Sequence, residues 1–514
     1  MAGEAARLVL PRVPDMLRNS FWHTLGYQPE KKWDLRTMLT ITTIRGIMEN
    51  STSSITEQQN FSLKRPAVKA NQLIVPVTMA LPKDGEKEGG VRQALCRAID
   101  EMKETGKEEY DIPTVSAVEG EWQAWTADRD VKKLAKLSDK ERYALMMAEA
   151  TGPAVVLYFH GGAYYLMDPA SHRDGAARIS REAGGRAFNV RYRMAPQNPF
   201  PTPILDAFVA YLSLLYPPPG AFHEPVKPEH IVFAGDSAGA NLTAVLTLFL
   251  LHLHQTSQTT VLFHGKEVYV PLPGGLSMNS IWADVTRCMP SLQTNQHYDY
   301  LPGVTTVRTA STASSEPSAS TGPAPKDPSA PPPCPLWPSP PPRADLYCSG
   351  TMLCHPLVSP LAATVKQWRG VPSAYFCIGE EMLLDECNVV ASRVAAAQAL
   401  DAQEGKMRKN VGVIYEGYEA MPHVFAMLLA GAPVSERCLA SWAGFVKDVV
   451  QKGGVGMTKA VWITLPKLEE ESRDFKSLSQ YQDKDVKQWM DEERDAREKR
   501  WRERFEAEKD GGGR

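Results

Sequence analysis

The sequence has almost no bias of charge: its 514 residues carry 57 Lys and Arg against 60 Asp and Glu, a net charge of -3 with a pI near 6.4. A chain so balanced has no field to attract a phosphate backbone, so nucleic acid is not the expected partner. It lacks paired cysteines. Cys96, Cys288, Cys334, Cys348, Cys354, Cys377, Cys387 and Cys438 are scattered, with no CxxC and no Cys/His cluster at zinc spacing. They are expected as mostly free thiols, and no metal site is expected. A long hydrophobic run is also missing. The most apolar segment, Leu242 to Leu253, is interrupted by threonine and histidine and is shorter than the ~20 residues that span a bilayer. It suits a buried core helix. The opening stretch MAGEAARLVLPRVPDMLRNSFW carries charges and two prolines within its only apolar part, which makes no signal-peptide core. The expectation is an intracellular, cytoplasmic location.

What is present is enough apolar material, 43% hydrophobic against 23% charged, for most of the chain to fold as a globule. Residues 1–70 show irregular helical spacing at Trp33, Leu35, Met38, Leu39, Ile41 and Ile44 and are read as a helical cap segment. Residues 72–80 and 117–125 read as strands at an antiparallel edge, with a charged helix near 91–106 between them. Short, nearly uninterrupted apolar runs follow at 154–159, 187–190, 231–234, 374–378 and 411–415. Strands covered on both faces of a parallel sheet look like this. Helical patterns separate them (171–182, 203–216, 240–253, 385–402 and from 424), so the class is α/β, with a mostly parallel central sheet and helices on both faces. Residues 302–343 are dominated by Pro, Ser, Thr and Ala and are expected as a disordered insertion. The catalytic domain is accordingly drawn as 71–301 plus 344–455. The mixed-charge stretch 456–514, with Trp489, Met490, Trp501 and Phe505, is read as an extension ending in a solvated helix, with a partner-binding helix as the alternative.

The strongest chemical signal is Gly235-Asp236-Ser237-Ala238-Gly239, which directly follows the apolar run Ile231 to Ala234 and directly precedes a helical stretch. A GxSxG sequence in that setting forms a sharp strand-to-helix turn that exposes the serine hydroxyl, with glycines where side chains would collide. The second signal, His160-Gly161-Gly162-Ala163-Tyr164-Tyr165, follows the run ending at Phe159. Its small residues bring backbone N–H groups close to a reacting oxygen, so Gly161, Gly162 and Ala163, with the amide of Ala238, are candidate oxyanion donors. His160 itself reads as a structural residue of the loop. Tyr164 and Tyr165 are candidates to line the substrate pocket, with core packing an equal prospect for Tyr165.

A serine hydroxyl needs a base. Among the 11 histidines, His423 follows a strand-like run and precedes a helix, which puts it on a loop at the carboxyl edge of the sheet, where ligands bind. His252 and His254 lie far along the helix after Ser237, and His355 is a runner-up that breaks the nucleophile, acid, base order. For the acid, Glu380, Glu381, Asp385 and Glu386 follow the run ending at Ile378, and residue type does not choose among them.

Together HGGA, GDSAGAN and a late PHVF resemble the hormone-sensitive-lipase-like group of α/β hydrolases over roughly residues 117 to 450. The segments NVRYRMAPQNPFPTPILDAFVAYLSLL and HPLVSPLAA are similar to the family's as well. The resemblance implies the α/β-hydrolase fold with an N-terminal helical cap. It also implies that the acid falls on Glu381, with Asp385 second, although the family ordinarily carries Asp there. Ala163 replaces a common glycine. The implied function is a serine carboxylic-ester hydrolase of esterase or lipase type, using Ser237, His423 and Glu381 on a small or lipid-like ester, with no cofactor. A non-catalytic receptor-like module and an acyltransferase with the same triad are the rival readings. A membrane surface is a further possible partner, and the oligomeric state is unassigned.

Overall fold

The apolar runs fold as parallel strands because each is sandwiched between helices and has no face to give to water. The computed structural model describes residues 10–26, 30–49, 54–126, 130–218, 220–303 and 345–511. Its strands are β1 (Gln72–Met79), β2 (Val118–Trp125), β3 (Val155–Phe159), β4 (Arg186–Arg191), β5 (Ile231–Asp236), β6 (Thr260–Phe263), β7 (Lys266–Tyr269), β8 (Gly275–Asn279), β9 (Ser373–Gly379), β10 (Val413–Tyr418), β11 (Lys459–Thr464) and β12 (Glu469–Arg473). Ten of them form one sheet in the order β1-β2-β4-β3-β5-β8-β9-β10-β11-β12, and β6 and β7 pair separately. From β4 to β11 every pairing is parallel, while β1, β2 and β12 join antiparallel at the two ends. All five residues of β3 and all six of β5 are buried.

The helix Ala238–Gln255 follows β5, and nearly all of it is buried. It is apolar on every side because it lies between the sheet and neighbouring helices, in place of the membrane such a run otherwise suggests. No described helix is long and apolar enough to cross a membrane. In the N-terminal segment, helices span Val13–Thr24, Leu35–Glu49 and Ile55–Ser62. The second is fastened to one side of the sheet's carboxyl edge: Arg45 Nε donates to Asp299 O at 2.9 Å and Trp33 Nε1 to Ala420 O at 2.6 Å. The third is fastened to the other side, with Gln59 Nε2 donating to Tyr165 O at 3.0 Å.

Three expectations change. The domain does not end at 455, since β11 and β12 extend its sheet to Arg473. Strand β12 (EEESR) is exposed throughout, so it carries no apolar signal and looks like tail in the sequence. The C-terminal helix, Asp483–Gly511, is more than a solvated extension or a free partner-binding arm: Val486 and Met490 are buried in the main core. Arg497 also pairs with Asp345 at 3.0 Å. Finally, β8 (GLSMN) was not expected, because a five-residue run with Gly, Ser and Asn has no strand signature despite being wholly buried. The expected insertion at 302–343 lies outside the described residues, apart from its first two.

Candidate active site

Ser237 sits between β5 and the helix Ala238–Gln255 at φ 54°, ψ -120°, a conformation that L residues rarely adopt. The turn is held by its neighbours: the Ser237 N–H donates to Asn279 O at 3.0 Å, and the N–H groups of Asn241 and Trp282 donate to Ser237 O at 3.0 and 3.2 Å. The flanking glycines are needed for close approach. A Cβ at Gly235 would meet Gly239 O at 2.3 Å, and one at Gly239 would meet Phe159 O at 2.0 Å. The serine is half-buried, so its hydroxyl is reachable.

His423 follows β10 and is buried, and its Nε2 lies 2.9 Å from Ser237 Oγ. Its Nδ1 lies 2.7 Å from Glu381 Oε1. A carboxylate only accepts, so Nδ1 carries the proton and Nε2 is left to accept from the serine. Glu381 lies just past β9 and is fully buried. Its second oxygen accepts from Ser280 Oγ at 2.7 Å and from the Gly379 N–H at 3.2 Å. Ser280 Oγ in turn accepts from the Val424 N–H at 3.0 Å, so one hydroxyl ties the acid to the backbone beside the base. Sequence reasoning missed Ser280, since it directly follows the unexpected strand β8 and belongs to no motif. Ser237, Ser280 and Val424 all have positive φ, as expected where a scaffold imposes strained geometry at a working site.

Burial works against charge on His423, but the charge and hydrogen bond of Glu381, with Asp299 and Asp236 beyond it, more than offset this and raise the imidazole above its ordinary value. Glu381 is itself pushed up by burial, with His423 and the Ser280 hydroxyl pulling it down and Asp299 adding to the rise.

The loop carrying Gly161, Gly162 and Ala163 approaches Ser237 from β3. A Cβ on Gly161 would meet Asp236 Oδ2 at 2.3 Å and Ser237 Cβ at 3.2 Å, so only glycine fits against the nucleophile. Gly162 and Ala163 take φ 106° and 51°. Among the described residues, no oxygen accepts from the N–H groups of Gly162, Ala163 or Ala238, and Ala238 begins the 18-residue helix whose dipole favours negative charge there. His160 is remote from this chemistry. Its ring stacks on Tyr192 at 4.4 Å, its Nδ1 lies 2.8 Å from Gly161 O, and burial with nearby His172 brings its pKa down to about 4.

Other sequence candidates are placed elsewhere. Tyr164 is fully buried, stacked on Tyr347 at 3.9 Å with its hydroxyl donating to Asn241 Oδ1 at 2.7 Å. It braces the loop from behind and does not line a pocket, because its whole ring is covered. Tyr165 is half-buried and packs on Ile55 and Leu346. His355 is held by Ile99 O at 3.1 Å, with burial lowering it to about 4. Glu380, Asp385 and Glu386 accept from the N–H groups of Ala420, Ser291 and Ala283 at 2.9, 2.8 and 2.6 Å. Each is occupied away from His423.

Residues 156–310 match a family described as having the alpha/beta hydrolase fold. The sequence is 26% identical over 299 residues to an acetyl-hydrolase of Streptomyces hygroscopicus, covering 58% of this chain and 77% of that protein. It is 30% identical over 154 residues to an esterase of Acinetobacter venetianus, covering 30% of this chain and 44% of the relative. A crystal structure of EstE7, an HSL homologue from a metagenome library, superposes with TM-score 0.50 at 20% identity over 82% of this chain and 100% of that one, a likeness of fold. The matched segment and the sheet order together show the α/β-hydrolase fold.

Proposed function

We propose that the chain hydrolyses a small or lipid-like carboxylic ester through Ser237, His423 and Glu381, by way of an acyl-enzyme. The observation that carries this reading is the continuous relay from Ser237 Oγ to His423 Nε2 at 2.9 Å and from His423 Nδ1 to Glu381 Oε1 at 2.7 Å. As Ser237 Oγ attacks the ester carbonyl, His423 Nε2 takes the hydroxyl proton, and buried Glu381 stabilises the imidazolium. The oxyanion of the tetrahedral intermediate is held by the amides of Gly162, Ala163 and Ala238 in the loop backed by Gly161. On collapse, the C–O bond to the alcohol breaks and His423 returns the proton to the leaving oxygen. In the second half His423 deprotonates water, which attacks the acyl-enzyme. The same donors hold the second oxyanion, and the acid leaves as Ser237 regains its proton. None of these steps calls on a metal or organic cofactor.

The test is labelling by a fluorophosphonate together with hydrolysis of p-nitrophenyl acetate. The expected result is a stoichiometric adduct and turnover, both lost in Ser237→Ala. A wild-type protein that folds but takes no label and hydrolyses no ester would overturn the reading and favour a receptor-like module.

A further inference from the structure

A solvent-accessible cation without an acid partner among the described residues sits on the ring of a residue that contacts the Ser237 backbone. Trp282 borders Ser237, to whose carbonyl its N–H donates at 3.2 Å. The Arg287 guanidinium sits over the Trp282 ring, 5.9 Å from its centroid. It also neighbours the half-buried Tyr165, two residues beyond Ala163, whose phenol feels its charge. The Arg287 side chain is open to solvent, yet burial pushes its guanidinium below the ordinary arginine value and nearby Arg497 pushes the same way.

The acids near it are already engaged. Asp345 pairs with Arg497 at 3.0 Å and accepts from the Tyr347 N–H at 2.9 Å. Asp284 accepts from the N–H groups of Thr286 and Cys288 at 2.9 and 2.7 Å. Among the described residues, no carboxylate lies within ion-pair distance of Arg287. Its backbone is also strained, at φ 61°. A guanidinium seated on an aromatic face without a counter-charge is poised to take an anion, and strain of this kind clusters where a ligand is clamped. The planar guanidinium matches a carboxylate in a way that a neutral chain cannot.

We propose that Arg287 is a specificity residue that binds a carboxylate carried by the ester substrate, at the surface beside Trp282 and Tyr165. This rests on the esterase reading above and narrows its substrate class to esters bearing a carboxylate away from the scissile bond.

The experiment compares matched soluble esters, each corrected for spontaneous hydrolysis. On the acyl side these are 4-nitrophenyl hydrogen adipate and 4-nitrophenyl hexanoate, and on the alcohol side 4-acetoxybenzoate and phenyl acetate. In at least one pair the wild type should favour the anionic member in kcat/KM by about ten- to hundredfold, the worth of a charge-assisted hydrogen bond. Arg287→Gln should collapse that ratio by raising KM for the anionic ester, and Arg287→Lys should keep part of it. Binding of the preferred anionic ester to Ser237→Ala, measured by calorimetry, should weaken by a similar factor when Arg287→Gln is added, a readout that does not need turnover. Ser237-dependent hydrolysis of the neutral esters, with no anionic preference or one that Arg287→Gln leaves in place, would overturn this proposal alone. Absence of Ser237-dependent hydrolysis of every ester would instead sink the esterase reading. Loss of preference with a lowered melting temperature in Arg287→Gln is decided by Arg287→Lys: if a stably folded lysine variant retains no preference, the charge is not what binds.

Discussion

Two buried histidine–carboxylate pairs flank Ser237: His423 with Glu381 at 2.7 Å on one side, and His172 with Asp236 at 3.2 Å on the other. Both histidines are raised above the ordinary imidazole value, each against burial and by its carboxylate. What separates them is the second ring nitrogen. That of His423 faces Ser237 Oγ, whereas His172 Nδ1 lies 2.9 Å from Ser171 Oγ, a hydroxyl that already donates to Asp168 O at 2.6 Å. The carboxyls also diverge. Asp236 is pushed up by burial, but His172, the Tyr158 hydroxyl and His160 outweigh that and hold it low, while Glu381, with Asp299 as a negative neighbour, ends high. A perturbed pair thus marks buried charge in general, and geometry decides which pair does chemistry.

The sharpest way to break this comparison is to remove the serine or its base. Ser237→Ala or His423→Ala should each lower kcat by about a millionfold, and the double variant should be little worse than either, because the two act as a unit. Steady-state kinetics on one ester tests this. An additive double variant would mean that the groups act separately.

Glu381→Gln should cost about 10^4-fold in kcat/KM. It should also move the acid limb of the pH profile. In the wild type, activity falls as pH drops through a His423 value above the ordinary imidazole one, since the protonated ring cannot accept. Without the Glu381 charge, burial is opposed only by the weaker pull of Asp299 and Asp236, and the limb should shift to lower pH. A limb that stays in place would assign it to another group.

Ser280→Ala should reduce kcat/KM by about tenfold, the worth of one charge-assisted hydrogen bond. As a positioning residue it also holds the acid's proton affinity down, so the pH profile should change shape as well as height. An equal loss at every pH would indicate packing alone.

His172→Gln should change kcat/KM on a soluble ester least, by a few-fold, and act mainly on stability. The raised value of His172 means that its contribution is complete below the unfolded pKa of about 6.5 and is lost as pH rises through the folded value. The depressed value of Asp236 keeps its own contribution in place until pH falls below the ordinary aspartate range. The fall in Tm on His172→Gln should therefore be greatest in mildly acidic buffer and shrink in alkaline buffer. The opposite trend would exclude a charged pair.

Strands β3, β4, β5, β9 and β10 were legible because burial on both faces leaves continuous apolar runs, and β1 and β2 because they stand at a clear edge. Strand β8 was hidden by its small and polar residues, and β11 and β12 by the charged chain around them. The nucleophile and the oxyanion loop are local motifs, legible from a few consecutive residues. The acid was narrowed to four neighbouring carboxylates, and spacing could go no further. Ser280 and Arg287 belong to no motif, and nothing in the sequence pointed to either.

By itself the sequence determined the alternation of elements, the turn that exposes Ser237 and the loop of small residues facing it, since these depend on steric and burial rules acting over a few residues. The family resemblance had already favoured Glu381, and only the tertiary structure brought that carboxylate to His423, fastened the two through Ser280, and left Arg287 against Trp282 with no acid partner among the described residues. Those outcomes depend on direction and distance between segments a hundred residues apart, and hydrogen bonds and ion pairs form only when such segments meet within about 3 Å in the right orientation.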